Sequence, residues 1–265
     1  MLTLDRIYHA AYTLRPVIRK TDIIYAPNLS KDAYIYLKTE NLQITGSFKV
    51  RGAYYKISRL SPEEKARGVI ACSAGNHAQG VALAAAKNGI NSLICIPDNA
   101  PISKIEATKS YGAEVELVKG DYDEAYARAC ELQQKEGRTF IHPFDDDDVI
   151  AGQGTIGLEI LDQLPNVDAV IVPIGGGGLI AGIAFAIKQL RPECKVYGVQ
   201  TEGAPAMKQS FAAHQKMPTS SVSTFADGIA VKCPGDITFD LISKYVDEIV
   251  TVTDDEAASA VLELI

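Results

Sequence analysis

The sequence lacks the features that mark several large classes of protein. None of its apolar runs is long enough to cross a membrane, and the N-terminus has no apolar signal-peptide core. Five cysteines are scattered without a Cys-x-x-Cys pair, which favours free thiols over disulfides or a zinc site. Basic residues number 26 against 33 acidic ones, a net charge of −7, and no basic cluster is interleaved with aromatic residues. These absences predict a soluble, cytoplasmic protein without a nucleic-acid or membrane partner.

What the sequence does contain is a regular alternation of apolar β-rich runs with helical patterns. This alternation predicts an α/β fold whose open, twisted parallel sheets carry helices on both faces. The run at 169–174 is apolar throughout and predicts a fully buried strand. The acidic residues 254–256 are predicted to cap a last helix that still runs at Ile265. Strands are predicted at 33–38, 68–72, 92–97, 114–118, 139–141, 169–174, 195–199 and 248–252, and helices at 4–17, 78–87, 103–111, 122–136 and 180–190.

Lys49 stands where the predicted strand 33–38 gives way to a helical pattern. Ser47 is the predicted N-cap, which places Lys49 in the first turn, at the positive end of the helix dipole. Positive potential lowers the pKa of an amine and favours the neutral form that a nucleophilic lysine needs. The alternative is a solvated surface lysine, and this stretch taken alone favours that alternative.

A run of four glycines, Gly175, Gly176, Gly177 and Gly178, is followed by Leu179 and lies between a predicted strand and a helix. Backbone amides in such a loop can converge on one anion, aided by the helix dipole. The run lacks the Gly-Lys-Ser/Thr of a nucleoside triphosphate loop and the glycine spacing of a dinucleotide site. The predicted ligand is therefore a phosphate monoester, and the alternative is a tight turn that needs glycine.

A second loop before a helix consists of Ser73, Ala74, Gly75, Asn76 and His77. Small and hydrogen-bonding residues at a helix N-terminus suit a carboxylate. The alternative is a structural cap that Ser73 and Asn76 supply. His77 has no nucleophile and acid in a triad pattern, so we predict a structural histidine.

Four consecutive aspartates at 145–148 are interpreted as a solvated turn in which Asp148 caps the next helix. Neighbouring residues point in different directions, and neither EF-hand spacing nor a glycine follows. We therefore predict no metal site.

Three loops should gather at the carboxyl edges of parallel sheets, where ligands bind. They are the loop that carries Lys49, the loop 73–77 and the glycine loop 175–179. A lysine, a phosphate cradle and a carboxylate cradle are together what pyridoxal phosphate chemistry on an amino acid requires. The lysine holds the cofactor as an imine, the glycine loop holds its phosphate, and the second loop orients the substrate.

At this level the sequence closely resembles the threonine dehydratases (threonine ammonia-lyases), part of the serine/threonine dehydratase family of fold-type II pyridoxal phosphate enzymes. The resemblance covers essentially the whole chain. It implies a tryptophan synthase β-like fold, with a small α/β domain at 48–146 and a large cofactor-phosphate-binding domain formed by 1–47 and 147–265. The motifs that carry it are Gly-Ser-Phe-Lys-Val-Arg-Gly-Ala at 46–53, Ser-Ala-Gly-Asn-His-Ala-Gln-Gly at 73–80, Ala-Gly-Gln-Gly-Thr at 151–155, Gly-Gly-Gly-Gly-Leu at 175–179 and Ala-Asp-Gly at 226–228.

The resemblance also implies roles for residues. Lys49 is the expected catalytic residue and covalent link to the cofactor, Phe48 is expected to pack on the cofactor ring, and Asn76 to bond the ring hydroxyl. Backbone amides of 175–179 are expected to hold the phosphate, and residues 73–77 the substrate carboxylate. The implied reaction is β-elimination of L-threonine, and of L-serine, to 2-oxobutyrate or pyruvate and ammonia. A homo-oligomer, dimer or tetramer, and a role in amino-acid metabolism such as isoleucine biosynthesis are further expectations.

Three other interpretations stay open. The first is a racemase, which needs a second base. Related serine racemases carry a serine where this chain has Ala74, which disfavours racemisation. Metal-binding relatives carry an acid where this chain has Gln200, which argues against a bound cation. A β-replacement enzyme is expected to show Thr-Ser-Gly-Asn-Thr in place of 73–77. A non-catalytic ligand-binding fragment is favoured by the end of the chain, because the family continues with a strand and a Ser-Gly-Gly-Asn-like turn whose hydroxyl bonds the pyridine nitrogen. We therefore expect the larger domain to be incomplete at its C-terminus.

Overall fold

A computed structural model describes residues 1–264, and in it the chain forms two compact units. Unit 1 comprises Met1–His9, Lys20–Thr39 and Phe144–Ile265, and unit 2 comprises Ala10–Arg19 and Glu40–Pro143. The domain boundaries that the resemblance implies stay a prediction. Within the described residues, no helix combines the length and the apolarity needed to cross a membrane.

The predicted alternation of strands and helices is confirmed, since every run predicted between 68 and 252 contains a strand. The strands are β1 (Ile23–Tyr25), β2 (Tyr36–Lys38), β3 (Val69–Cys72), β4 (Ser92–Pro97), β5 (Glu114–Val118), β6 (Thr139–Phe140), β7 (Ala169–Pro173), β8 (Lys195–Thr201) and β9 (Glu248–Val252). The helices are α1 (Leu4–Leu14), α2 (Lys49–Ser58), α3 (Pro62–Arg67), α4 (Asn76–Lys87), α5 (Ile102–Ser110), α6 (Tyr122–Glu136), α7 (Asp147–Gln163), α8 (Gly178–Leu190), α9 (Ala206–Ala213), α10 (Asp236–Tyr245) and α11 (Asp254–Glu263).

Unit 2 is a parallel sheet in the order β5-β4-β3-β6 with helices on both faces. Alternate residues of β3 belong to two different apolar clusters, because successive side chains of a strand point to opposite faces. Val69 and Ala71 pack with α2 and α4 residues, whereas Ile70 and Cys72 pack with the inner face of α6. Burial on both faces explains why β3, and β4 after Ser92, are apolar.

Unit 1 contains the parallel sheet β7-β8-β9 and the closely packed helices α7 and α8. At their crossing the two helix backbones touch. A Cβ added to Gly182 would lie 2.4 Å from the Ile150 carbonyl oxygen and 2.6 Å from the backbone nitrogen of Gly154. Only glycine allows so close an approach, and the crossing fixes α8 relative to α7.

The prediction that residues 169–174 form a fully buried strand is wrong. β7 is the edge strand of its sheet, and of its residues only Val172 is buried, while Ile171 is 67% exposed. An apolar run of residues does not show whether other elements cover one face of the strand or both. The sequence also did not predict the antiparallel pair of β1 and β2, and β2 is shorter than the predicted strand 33–38.

Three predicted helix caps are displaced by one or two residues. α2 has Phe48 rather than Ser47 at its N-cap, although the Ser47 hydroxyl still accepts a 3.4 Å hydrogen bond from the Lys49 amide. α11 is capped by Thr253, not by the acidic residues after it, and the prediction that this helix continues through Ile265 lies outside the described residues. Local patterns place helix ends only to within a residue or two.

α7 is capped by Asp146 instead of Asp148. The Asp146 carboxylate accepts hydrogen bonds from the amides of Asp148 and Val149, at 2.8 and 3.1 Å. An aspartate can accept from the second and third amides that follow it, so the first suitable aspartate before the helix takes the cap.

Candidate active site

Lys49 is the first residue of α2, and its side chain is partly buried rather than solvated. Its ammonium Nζ donates a 2.9 Å hydrogen bond to the carbonyl oxygen of Pro143 and lies 5.5 Å from the centre of the Phe48 ring. Burial lowers the pKa of Lys49 from 10.5 to about 8. The surface-lysine alternative is therefore rejected, and a substantial fraction of this amine is neutral slightly above neutral pH.

The backbone of Lys49 is held by a close crossing of α2 and α4. A Cβ on Gly80 of α4 would lie 3.1 Å from the carbonyl carbon of Lys49 and from the nitrogen of Val50. Gly80 thus allows the two helix backbones to approach almost to contact. The position of the lysine is set by this crossing as well as by its own helix.

Residues 73–77 join the carboxyl end of β3 to the N-terminus of α4. The Ser73 hydroxyl accepts a 3.1 Å hydrogen bond from the Gly75 amide, and Gly75 occupies the N-cap position without a side-chain cap. Asn76 is exposed at the start of the helix. Among the described residues, no acceptor bonds the backbone amides of Asn76, His77 or Ala78. The purely structural cap is therefore not what Ser73 and Asn76 form, and the junction leaves N–H donors for an anion.

His77 is buried on α4, and its Nε2 lies 2.8 Å from the carbonyl oxygen of Ile141. Burial, together with the nearby charge of Lys49, lowers the pKa of His77 to about 3. The ring is therefore neutral at physiological pH, and since a carbonyl oxygen only accepts, the proton resides on Nε2. This geometry supports a structural histidine.

In unit 1, the four glycines connect β7 to the N-terminus of α8. Gly176, Gly177 and Gly178 are buried, and the N-cap Gly177 has a φ of +99° that disfavours other residues. Within residues 1–264, no acceptor is hydrogen-bonded to the backbone amides of Gly175 through Leu179. A series of buried N–H donors at a helix N-terminus is a suitable cradle for a dianionic group.

The glycine loop is packed closely by neighbouring residues of unit 1. A Cβ on Gly176 would meet the Phe144 ring at 2.4 Å, and one on Gly178 would meet the Phe144 backbone at 2.9 Å. A Cβ on Gly177 would lie within 2.9 Å of Met207 and Ile242. The available volume excludes side chains at Gly176 and Gly178, so a tight turn alone does not explain why these two residues are glycine.

The aspartates 145–148 bind backbone amides or basic groups. Besides the Asp146 cap, Asp145 accepts from the backbone amides of Asp236 and Thr238, and Asp147 pairs with the N-terminal ammonium of Met1 at 2.5 Å. No cluster of three or more His, Cys, Asp or Glu side chains in the described part of the chain is arranged to hold a metal ion.

Comparison with known proteins adds a family to this geometry. The profile of the pyridoxal-phosphate dependent enzymes matches residues 14–265. The chain belongs to this family.

Individual relatives in the family are similar along the whole chain. L-threonine ammonia-lyase of Thermotoga maritima is 54% identical over 267 residues, which span all of this chain and 67% of that protein. Among solved structures, the processed form of threonine deaminase isoform 2 from Solanum lycopersicum has a TM-score of 0.95 at 41% identity, covering 98% of this chain and 77% of the other. Maize serine racemase has a TM-score of 0.96 at 35% identity, covering 98% and 80%.

The residues of this member of the pyridoxal-phosphate dependent enzymes fit the family's cofactor. The cofactor's aldehyde requires an amine that can lose its proton, and Lys49 has one whose pKa is about 8. Its phosphate requires several donors without competing acceptors, and the amides of 175–179 meet this requirement.

The sequence did not predict the residues that contact Lys49 and the glycine loop from elsewhere in the chain. Gly80 packs against the Lys49 backbone, and Phe144 and Thr238 pack against the glycines. A signal existed for Gly80, because it is the only glycine in the otherwise alanine-rich helix α4. Thr238 had none, since it lies 62 positions from the glycine that it contacts.

Proposed function

We propose that this chain catalyses pyridoxal phosphate-dependent β-elimination of water from L-threonine, and from L-serine, and that hydrolysis of the resulting enamine releases ammonia. The products are 2-oxobutyrate from threonine and pyruvate from serine. The observation that carries the proposal is the buried Lys49 amine with its lowered pKa, in a chain 54% identical to an L-threonine ammonia-lyase. Similarity to a threonine deaminase over 98% of this chain also supports it.

The proposed roles follow from the chemistry of each group. When bound, pyridoxal phosphate supplies an electron sink for the electron pair that deprotonation leaves at the substrate Cα. Lys49 would hold the cofactor through Nζ, and its amine would act as the general base that removes the substrate Cα proton. A base whose pKa is about 8 is well matched to a reaction near neutral pH, because it is partly deprotonated there and still basic enough to take a proton.

The remaining predicted site residues are proposed to bind and orient. Amides of Gly175, Gly176, Gly177, Gly178 and Leu179 hold the phosphate, and their lack of protein acceptors supports this role. Residues 73–77 (Ser73, Ala74, Gly75, Asn76, His77) receive the substrate carboxylate at the N-terminus of α4. Phe48 packs on the cofactor ring, and Asn76 bonds the ring hydroxyl.

The experiment replaces Lys49 with Ala and measures 2-oxobutyrate release from threonine. The wild-type chain should take up pyridoxal phosphate with a visible absorbance that shifts when threonine is added. Borohydride reduction followed by peptide mapping should place the label on Lys49. The matched control is Lys109→Ala, because Lys109 is an exposed lysine paired with Glu106 on the surface, and this variant should keep both activity and label.

Substantial threonine deamination by Lys49→Ala would reject the assignment. Wild-type protein that stays colourless with pyridoxal phosphate would instead favour a non-catalytic fragment.

Racemisation is the second candidate, because the fold matches maize serine racemase with a TM-score of 0.96. Ala74 in the junction after β3 offers no side chain that could donate a proton to the opposite face of Cα. Chiral chromatography of the serine that remains after partial turnover separates the two activities. Formation of D-serine faster than pyruvate would favour the racemase.

The chain is also proposed to act in the cytoplasm as a homo-oligomer of two or four copies. Five cysteines, all free in the structure, support a reducing compartment. The oligomeric state rests on the family resemblance alone, and light scattering coupled to size-exclusion chromatography measures it directly.

A further inference from the structure

The orientation of each peptide bond in the glycine loop decides whether that peptide presents an N–H donor or a carbonyl oxygen to an anion. In a trans peptide, the carbonyl oxygen of one residue and the N–H of the next point in opposite directions. None of the described peptide bonds is cis. A loop of four glycines has little intrinsic preference between the two orientations of each peptide, because glycine adopts positive and negative φ about equally. Some contact outside the loop must therefore select the orientation that presents N–H groups.

The peptide between Gly176 and Gly177 has such a contact. The hydroxyl of Thr238, on the first turn of α10, donates a 2.7 Å hydrogen bond to the Gly176 carbonyl oxygen. This bond draws the carbonyl toward α10, and the Gly177 N–H of the same peptide consequently points away from α10. That N–H has no acceptor among the described residues.

Thr238 is itself held so that its hydroxyl has little freedom. It is fully buried, and the two oxygens of Asp145 accept the backbone amides of Thr238 and Asp236 at 3.1 and 3.0 Å. The Asp145 carboxylate lies directly over Gly235, where any Cβ would overlap its Oδ1. The Thr238 Cβ also packs on the loop, since a Cβ on Gly177 would lie 2.9 Å from it.

We propose that Thr238 is a positioning residue for cofactor binding: its hydroxyl fixes the Gly176–Gly177 peptide so that the Gly177 N–H faces the cofactor phosphate. Asp145 supports this function by fixing the start of α10. The proposal deepens the proposed function and rests on it, because it takes the phosphate of pyridoxal phosphate as the ligand of the loop.

The test compares cofactors with and without phosphate. Thr238→Val keeps the shape of the side chain but removes the hydroxyl, which leaves the Gly176 carbonyl free to turn toward the anion. We expect about a ten- to hundredfold loss of affinity for pyridoxal phosphate, measured by absorbance titration, because one hydrogen bond is lost and a carbonyl can oppose the phosphate. The affinity for pyridoxal, which lacks the phosphate, should change less than twofold. Thr238→Ser retains the hydroxyl and should restore most of the affinity.

The matched control is Thr108→Val on α5. Thr108 is equally buried, and its hydroxyl donates to the Lys104 carbonyl, so the change removes the same chemical group from another part of the chain. It should leave the affinity for pyridoxal phosphate unchanged. Equal losses for pyridoxal phosphate and pyridoxal in Thr238→Val, or no loss for either, would overturn the proposal.

A second variant keeps the proposal testable if Thr238→Val does not fold. Asp145→Asn weakens the hold on the α10 amides while leaving the Thr238 hydroxyl in place, and it should show a smaller loss that is again selective for the phosphate. Affinity equal to the wild type in that variant would count against the proposal. Wild-type protein that binds no pyridoxal phosphate would refute the proposed function itself, which separates the two failures.

Discussion

Two strand-to-helix junctions in this protein have the same local architecture but differ in their side chains. Residues 73–77 join β3 to α4 in unit 2, and residues 175–179 join β7 to α8 in unit 1. Both leave backbone amides of the first helical turn without acceptors among the described residues. The first junction carries polar side chains, and a Cβ on its Gly75 would meet nothing within 4 Å. The second has no side chain before Leu179, and a Cβ at three of its glycines would overlap neighbouring atoms at less than 3 Å.

The difference matches the two anions that are proposed as ligands of the junctions. A phosphate has several oxygens and is bound well by many backbone amides, for which side chains are an obstruction. A substrate carboxylate is smaller and must be distinguished by its surroundings, which requires side chains such as those of Ser73 and Asn76. The glycine content of each junction thus follows from its proposed ligand.

The strongest test of this contrast is Gly178→Ala. The added Cβ would lie 2.9 Å from the Phe144 backbone, which cannot move as a flexible side chain can. We expect more than a hundredfold loss of affinity for pyridoxal phosphate and a loss of about 1–3 kcal/mol in the free energy of unfolding. Absorbance titration and urea unfolding measure the two quantities.

Gly75→Ala is the matched control for that variant, because its Cβ enters open space. It should keep the affinity for pyridoxal phosphate and lose no more than about 1 kcal/mol of stability, because Gly75 is the N-cap of α4 and alanine is a poorer N-cap than glycine. If both variants had the same effect, the contrast between the junctions would be lost.

A smaller effect is expected from Gly80→Ala, which perturbs the backbone of Lys49. The added methyl group would force the Lys49 backbone to shift by a few tenths of an ångström. Alanine favours a helix by about 1 kcal/mol over glycine, and this gain partly offsets the cost of overpacking. Stability should therefore change little while kcat falls about tenfold, since catalysis is more sensitive to geometry than folding is. Steady-state kinetics at full cofactor loading test this split, and an unchanged kcat would show that the crossing does not position Lys49.

The smallest expected effect is the contribution of the buried His77 side chain to the pH dependence of stability. The folded-state pKa of His77 is lowered to about 3, so its stabilising contribution is complete above its ordinary pKa of 6.5 and is lost as the pH falls toward 3. The free energy of unfolding should fall by at most about 1.4 kcal/mol per pH unit in this window from this residue.

The measurement is urea unfolding of the wild type and His77→Gln between pH 7.5 and 5. Glutamine can still donate to the Ile141 carbonyl but does not titrate, so its stability should decline less steeply below pH 6.5. Parallel curves for the two proteins would show that His77 contributes nothing to the acid sensitivity.

The parts of the candidate site that the sequence could propose are those made of consecutive residues. Lys49 and the four glycines stand out because a cation at a helix start and a glycine run each have a chemical meaning at one place in the chain. The contacts that position them do not, because Thr238 and Phe144 reach the glycines only through the folding of unit 1. The same limit explains the error at β7, since its layer coverage depends on neighbours that its own residues do not specify.

The crossing of α2 and α4 at Gly80 has a consequence for protein engineering. Lys49 begins α2, and residues 76–77 begin α4. Because the backbones of these two helices are in contact, the two positions are fixed relative to each other within unit 2. With the proposed role of residues 73–77, libraries that vary Ala74 should change substrate selectivity without displacing the Lys49 amine. Libraries that include position 80 would alter both at once, and their members would confound selectivity with lost catalysis.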